Sequence, residues 1–361
     1  MKIAYINPTT IMRRPITELA NIFSKKHSVT VFTPKNFFNK KLNLHYTFNK
    51  KVKIETYQTV NFVNSMEWPI PISPSFFIKL HNIFRKNDVV HMWTYSYLVN
   101  FLTLIYSKFY NTKLILTYDT VPGISLSLGK FDYLYKVFYL IFSKFIFNNP
   151  DKISVYGKSI KNISRKLTNK KINVIPTGTN IPVKKTKSIR KEFNLKNKQI
   201  ILFVGRIAKI KGVDTIFRVA NDKRMKNFVF LMVGSNLNKK IYEQYKSKKP
   251  KNVIFAGSRS DIYNFYSEAN LFFLPSKGEG MPGVILEAMK FGLPIVTSKI
   301  PGTSDLITKE LALTNKNYAN SIIKIISDKN LHKKMSKFSK KESKKYNWTK
   351  ISKNYFELYS N

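Results

Sequence analysis

Two glutamates eight residues apart, Glu279 and Glu287, stand in the stretch Leu271 to Ser304, LFFLPSKGEGMPGVILEAMKFGLPIVTSKIPGTS. The first lies in a glycine-rich turn, Gly278-Glu279-Gly280-Met281-Pro282-Gly283. The second falls inside Val284 to Phe291, which reads as a helix with Pro282 or Gly283 near its first turn and Gly292 at its end. The turn follows Leu271 to Pro275, an apolar run that reads as a buried strand. A strand-to-helix junction of this kind presents free backbone N–H groups and the positive end of a helix dipole at the C-terminal edge of a sheet, where phosphates bind. A carboxylate there would repel the phosphate itself. The two glutamates are therefore expected to face the neutral, hydroxyl-rich parts of a ligand, a sugar and a ribose, each accepting from neighbouring hydroxyls. Alone, they would read as a solvated loop residue and a surface helix residue. Gly278, Gly280, Gly283 and Gly292-Leu293-Pro294 form one block around them, and that favours the site.

A cationic pair comes earlier. Gln199 to Val204 is a continuous apolar strand that runs into Gly205-Arg206-Ile207-Ala208-Lys209-Ile210-Lys211-Gly212, after which Ile216, Phe217 and Ala220 mark a helix. An arginine at a strand end and a lysine five residues on are spaced to reach one anionic group from two sides. In a chain with 63 Lys+Arg such a coincidence is cheap, so composition alone does not single the pair out.

The glutamate block resembles the E-x7-E signature of the family-four retaining glycosyltransferases, nucleotide-sugar enzymes of the GT-B fold. Gly205-Arg206 followed by Lys211-Gly212 is similar to the second signature of that family, in the expected order. The resemblance implies that Glu279 holds hydroxyls of the donor sugar, Glu287 the nucleotide ribose, and Arg206 and Lys211 the donor diphosphate. Gly205, Gly280, Met281, Pro282, Gly283 and Val284 would complete the donor pocket, and backbone near Ser258 and Arg259 would read the base. Many family members place a histidine near the end of the strand that is here Lys113 to Tyr118; this chain has Asp119. A carboxylate there would hold a hydroxyl of donor or acceptor, while as a plain turn residue it would initiate the turn before Pro122-Gly123.

The elements that must position these residues follow a β-α alternation. A chain of 361 residues, 43% of them hydrophobic, is long enough for two cores. Ile3 to Ile6, Val29 to Phe32, Val52 to Tyr57, Asp88 to His91, Lys113 to Tyr118, Lys152 to Tyr156 and Ile172 to Ile175 read as strands. Ile16, Leu19, Ala20 and Phe23 form an amphipathic stripe after Arg14-Pro15. The loop Pro8 to Arg14 lacks the Gly-Gly of many family members; Arg13 in its stead would meet phosphate or an anionic acceptor, or solvent. His91 at a strand end reads as lining the pocket or as a packed structural residue. Trp68 to Pro74 is an apolar, proline-punctuated loop, and Ile300 to Thr303 resembles the family's turn that closes the pocket. A hinge is placed at Pro176 to Pro182. The expected domains are 1–178, an acceptor-binding Rossmann-like domain; 179–335, a nucleotide-sugar-binding Rossmann-like domain; and 336–361, a C-terminal helix crossing back onto the first. The fold class is α/β of the GT-B type, two Rossmann-like domains facing a cleft.

The net charge of +43 suits nucleic acid, anionic lipid or a lysine-rich composition equally. With no cysteine, disulfides and thiolate metal sites are excluded. No run reaches the roughly 18 uncharged apolar residues of a spanning helix, so the protein is expected to be cytoplasmic, either free or peripheral on the inner membrane face. Phe131 to Phe147 supplies the apolar contact: Phe131, Leu134, Phe138, Ile141, Phe142 and Phe145 form one stripe, Tyr135, Tyr139, Leu140 and Phe147 widen it, and Lys136 and Lys144 flank it. A core helix would look much the same.

The expected reaction moves a hexosyl group, with retention, from a UDP- or GDP-sugar to a glycan or lipid-linked acceptor. No metal or other cofactor is required, because cations already face the diphosphate, and no nucleic-acid partner is expected. A sugar epimerase or phosphorylase on the same fold is the nearer rival reading, and a basic nucleic-acid-binding module the more distant one.

Overall fold

Short apolar runs joined by amphipathic segments commit a chain to parallel sheets, because strands linked through a crossover helix pair in parallel. The computed structural model describes residues 1–10, 12–35, 47–60, 70–94, 97–120, 132–235, 238–314 and 317–361. It contains two such sheets, one in each of two units, residues 1–177 with 348–361 and residues 178–347.

In the first unit the elements run β1 (Lys2–Ile6), α1 (Arg14–Phe23), β2 (Ser28–Pro34), β3 (Val52–Tyr57), β4 (Thr59–Val60), β5 (Ile70–Pro71), α2 (Ser75–Lys86) and β6 (Val89–Trp93). They continue with α3 (Leu98–Ser107), β7 (Lys113–Tyr118), α4 (Asp132–Asn148), β8 (Lys152–Val155), α5 (Lys158–Ser164) and β9 (Ile172–Val174). Seven strands form one parallel sheet in the order β3-β2-β1-β6-β7-β8-β9, while β4 and β5 pair separately. Its central strand β6 is buried from end to end and β7 from Leu114 onward, as a sheet covered on both faces requires. The stripe Ile16, Leu19, Ala20 and Phe23 of α1 is buried as its spacing predicts.

In the second unit α6 (Ile189–Glu192), β10 (Gln199–Val204), α7 (Val213–Ala220), β11 (Phe228–Val233), α8 (Lys239–Ser247), β12 (Val253–Gly257), α9 (Ile262–Glu268) and β13 (Leu271–Leu274) come first. Then follow α10 (Gly283–Lys290), β14 (Ile295–Thr297), α11 (Pro301–Ser304), β15 (Ala312–Leu313), α12 (Tyr318–Ser327) and α13 (Lys329–Ser343). The six parallel strands are ordered β12-β11-β10-β13-β14-β15. From β10 the chain moves outward through β11 and β12, then returns to the other side of β10 at β13. In open α/β sheets ligands bind outside the strand ends where the order reverses in this way. Arg206 and Lys211 follow β10, and Glu279 follows β13.

The chain's last helix, α14 (Trp348–Ser360), belongs to the first unit. Trp348, Ile351, Tyr355 and Leu358, expected on one face, are all buried. The return begins at Trp348 and not at residue 336, because α13 stays with the second unit: Met335 and Ser339 are buried, and Ser339 Oγ donates to Leu293 O at 2.9 Å. Next to α14, His91 does not line a pocket. It is fully buried, with Nδ1 2.7 Å from Tyr359 Oη and Nε2 2.6 Å from Thr117 Oγ1, and it stacks on Trp93. Burial holds its pKa well below the ordinary value, so it is a neutral clasp for the returning helix.

The aromatic stretch divides. Phe142 and Phe145 pack on Phe101 of α3, and Ile146 and Phe147 are fully buried, so this part of α4 is core on one side. Tyr133 and Ile141 stand out at 74% and 63% exposure. Phe131 lies outside the described residues, as do the side chains of Leu134, Tyr135, Lys136, Phe138, Tyr139 and Leu140. So do Trp68-Pro69 and the expected turn at Pro122-Gly123. Among the described residues no helix is long and apolar enough to cross a membrane.

Candidate functional site

The loops after β10 and β13 are drawn together by backbone. Lys277 N–H donates to Ile210 O at 2.8 Å, and a short 3-10 turn, Lys209–Lys211, ends at Gly212 with φ +76°. A Cβ at Gly212 would lie 2.1 Å from Pro275 O, so only glycine permits both this approach and the left-handed turn. The consequence is chemical, since the turn delivers Lys211 to the glutamate loop. Lys211 Nζ lies 2.6 Å from Glu279 Oε1, and Ser276 Oγ donates to the same oxygen at 2.7 Å. Both bonds converge on Oε1, and among the described residues Oε2 has no partner. Glu279 is 8% exposed. An ammonium carries three N–H donors, so Lys211 retains donors for an anion while its charge is held in place.

The far side of the loop is fixed by α11. Gly302 packs so tightly that a Cβ would meet Glu279 O at 2.0 Å and Gly280 O at 2.1 Å. This is the turn Ile300 to Thr303 singled out in the sequence. Met281 and Pro282 are buried, and Gly283 and Val284 half-buried, at the N-terminal end of α10. Pro282 is the N-cap and makes no side-chain capping bond, and a Cβ at Gly283 would meet nothing within 4 Å among the described residues. One turn further along α10, Glu287 is buried and accepts a hydrogen bond from Tyr266 Oη at Oε2, 2.8 Å away.

The other sequence candidates take different places. Arg206 follows Gly205 at the end of β10 and is exposed. Ser258 is exposed beyond β12 and donates to Ser235 Oγ at 2.9 Å. The Arg259 guanidinium is engaged by Asp261 at 2.9 Å and by Glu192, and it lies over the Phe265 ring. These bonds raise the arginine's pKa and hold Asp261 down at about 2. Arg259 thus ties α6 to α9, which leaves only its backbone for base recognition.

In the first unit Asp119 follows β7 and is 9% exposed. Its Oδ2 is paired with Arg13, a residue the sequence offered separately, and its Oδ1 has no hydrogen-bond partner among the described residues. Burial raises the Asp119 pKa above the ordinary carboxylate value, with Arg13 opposing. Nearby, at the end of β6, Thr94 adopts φ +57°, a left-handed conformation unfavourable for a β-branched residue. Asn100 Nδ2 holds it by donating to Trp93 O and Thr94 O at 2.7 and 2.6 Å.

Ser276, Tyr266, Thr94 and Asn100 were not found from the sequence. Ser276 could have been, since it lies three residues before Glu279 in the same turn. Tyr266 is 21 residues from Glu287 and meets it only through packing of α9 on α10. Among the described residues no group of three or more His, Asp or Glu side chains is placed to hold a metal ion.

Comparison with known proteins gives a consistent picture. Residues 13–181 match the family described as Glycosyltransferase Family 4, and residues 184–342 match Glycosyl transferases group 1. The chain is 28% identical over 219 residues to the uncharacterized glycosyltransferase MJ1178 of Methanocaldococcus jannaschii. That alignment covers 58% of this chain and 59% of the relative, so the match spans about three fifths of the relative's length. It is 29% identical over 181 residues to the UDP-Gal:alpha-D-GlcNAc-diphosphoundecaprenol alpha-1,3-galactosyltransferase of Escherichia coli, covering 45% of this chain and 47% of that enzyme. The crystal structure of Anabaena HepE in complex with UDP and glucose superimposes with a TM-score of 0.78 at 16% identity, covering 100% of this chain and 99% of that one. Such a likeness establishes the fold, two Rossmann-like α/β domains of the GT-B class.

Proposed function

The chain belongs to the family-four, group 1 glycosyltransferases, and from that premise we propose that it transfers a hexosyl group, with retention, from a UDP- or GDP-sugar to a glycan or lipid-linked acceptor. The observation that carries this reading is the Lys211–Glu279–Ser276 cluster at the β10/β13 switch point, locked by Gly212 and Gly302. Lys211, Arg206 and the N-terminal end of α10 at Gly283 stabilise the charge that develops on the departing diphosphate. Catalysis of this kind is electrostatic and works through preorganisation, because the donors are already in position when charge appears. Glu279 Oε2 accepts from donor-sugar hydroxyls, and Glu287 accepts from the ribose while Tyr266 fixes its orientation. In the first unit, Asp119 holds a hydroxyl of the acceptor, oriented by Arg13. This chemistry needs no divalent ion, and donor turnover is expected to be unchanged by a chelator.

The lipid-linked acceptor is supported by the named activity of the Escherichia coli relative and by the surface of the first unit. Phe77 and Ile78 of α2, Leu98 and Ile105 of α3 with Phe109 beyond it, and Tyr133 and Ile141 of α4 are exposed. The helices that carry them are neighbours: Phe77 contacts Tyr106, Tyr106 contacts Phe109, and Phe101 contacts Phe142. Exposed apolar side chains in a chain of +43 suit the interface of an anionic membrane, where burial of rings and attraction of lysines add. The protein would then work as a peripheral protein on the cytoplasmic membrane face.

The test is donor consumption measured across nucleotide-sugars, with and without vesicles carrying a polyprenyl-diphosphate glycan. One nucleotide-sugar should be consumed much faster when acceptor is present, with the anomeric configuration retained in the product. Consumption independent of any acceptor would point to an epimerase or hydrolase, and inversion would overturn the mechanism.

A further inference from the structure

We propose that the first unit carries a second anion site, a polar pocket beneath α2 that takes a phosphate group borne on a hydroxylated body. This site is separate from the donor chemistry and does not depend on it. A parallel sheet covered by helices reads as continuous apolar strands, yet β2 and β3 depart from that rule on one face. Ser28 and Thr30 alternate along β2, and Lys53 and Glu55 along β3, so the four side chains share a face. Register brings them together, with Lys2 of β1 opposite Ser28 and Thr30 opposite Lys53. Above them, Lys79, Asn82, Ile83 and Lys86 of α2, with Asn87, close a cavity of about 330 Å³, which is within the size range of small-ligand sites. Thr30 and Ile83 are the most buried of the lining residues.

Four lysines meet one carboxylate in that cavity. Two of the lysines are oriented by partners, since Lys53 Nζ lies 2.8 Å from Glu55 Oε1 and Lys79 Nζ donates to Thr56 O at 2.6 Å. Each keeps further N–H donors, and Lys2 and Lys86 stand at the rim. Outside the lining, Asp88 accepts the backbone N–H of Lys2 at 2.7 Å. The ordinary role of Lys86 is to complement the carbonyls at the C-terminal end of α2, where Arg85 also stands. That role accounts neither for Lys2 and Lys53 nor for hydroxyls on a sheet face that packing alone would make apolar. Phosphate oxygens match the ammoniums, and Ser28, Thr30, Asn82 and Glu55 match hydroxyls. The pocket lies at the N-terminal ends of β1 to β3, roughly 16 Å along the strands from the edge that carries Asp119. It therefore suits a phosphate distant from any reacting hydroxyl.

The experiment is calorimetric titration of the full chain, saturated with UDP, using glycerol 3-phosphate as probe with glycerol and inorganic phosphate as comparators. Glycerol 3-phosphate should bind once per chain and more tightly than either comparator. The Lys2→Gln/Lys86→Gln variant should weaken it about tenfold. Lys337→Gln/Lys341→Gln, which removes equal charge from exposed positions on α13, should leave it unchanged. Phosphatidylglycerol vesicles, set against phosphatidylcholine, divide the sources: competition with the probe assigns the site to a lipid head group, and its absence to a soluble or glycan-borne phosphate. No binding, or equal weakening in both double variants, would overturn the proposal, the latter because diffuse charge would then suffice.

Discussion

Glu279 and Asp119 are both buried carboxylates at the C-terminal edge of a parallel sheet, and each gives one oxygen to a cation from another strand's loop. Their second oxygens differ. Glu279 concentrates Lys211 and Ser276 on Oε1, and its Oε2 is not sealed away; Asp119 buries Oδ1 with no partner among the described residues. The first arrangement is stabilised within its own loop pair, whereas the second sits where burial raises its pKa against the opposing charge of Arg13. The same division runs over the surface. Among the described residues, all the exposed large apolar side chains except Val183 and Ile241 belong to the first unit. One unit is built around fixed ionic chemistry, and the other holds a buried carboxylate with one oxygen unpaired among the described residues and carries most of the exposed apolar side chains.

The sharpest way to break this comparison is Lys211→Ala. Losing a preorganised cation at a leaving group typically costs about 3–4 kcal/mol, so turnover should fall by two to three orders of magnitude while the thermal transition stays within a few degrees. Normal turnover would remove the diphosphate role. Next in size is Gly212→Ala, which places a methyl group against Pro275 O in a left-handed turn. It should destabilise the second unit by about 2–4 kcal/mol, read as an early transition in differential scanning calorimetry; an unchanged scan would mean that the loop pair is not locked there.

Asp119→Asn sharpens the contrast from the other side, with an expected loss of about tenfold in acceptor-dependent rate. Its pH dependence carries a sign. Because the folded pKa is raised, wild-type activity should fall, as pH drops, through a limb above the ordinary aspartate value, and the substitution should abolish that limb. For stability the sign is opposite: the unfolded chain ionises first, so this group's contribution is greatest at low pH and declines as pH rises through the folded pKa. A limb that survives the substitution belongs to another group. The smallest effect is expected for Tyr266→Phe, which deletes one hydrogen bond to Glu287. The cost of about 1 kcal/mol should appear as a several-fold rise in donor KM with kcat unchanged, and a matching fall in kcat would show that Glu287 acts in the transition state.

Much of the second unit was legible in the chain itself. Continuous apolar runs at β10 and β13, and glycines flanking Arg206, Lys211 and Glu279, announce strands that end in turns, and at Gly212 only glycine tolerates the approach to Pro275. The first unit was less legible. Its pair, Arg13 and Asp119, is separated by 106 residues and carries no local signature. His91 read either as a pocket residue or as a packed structural one because a strand-end histidine looks alike whether it meets a ligand or a returning helix; only the placement of Tyr359 distinguishes them. The helix Asp132–Asn148 is ambiguous for the same reason, since its aromatic residues supply both the packing on Phe101 and the exposed ring of Tyr133.

Sequence by itself therefore determined the alternation of strands and helices, the two sheets and the turns that carry Lys211 and Glu279, since periodicity, glycine and proline act over a few residues. Tertiary structure alone decided which oxygen each carboxylate leaves open, that Arg259 is spent on Glu192 and Asp261, and that α14 closes over His91. Those outcomes depend on contacts between segments far apart in the chain, whose energies come from burial and hydrogen-bond geometry that no local pattern encodes.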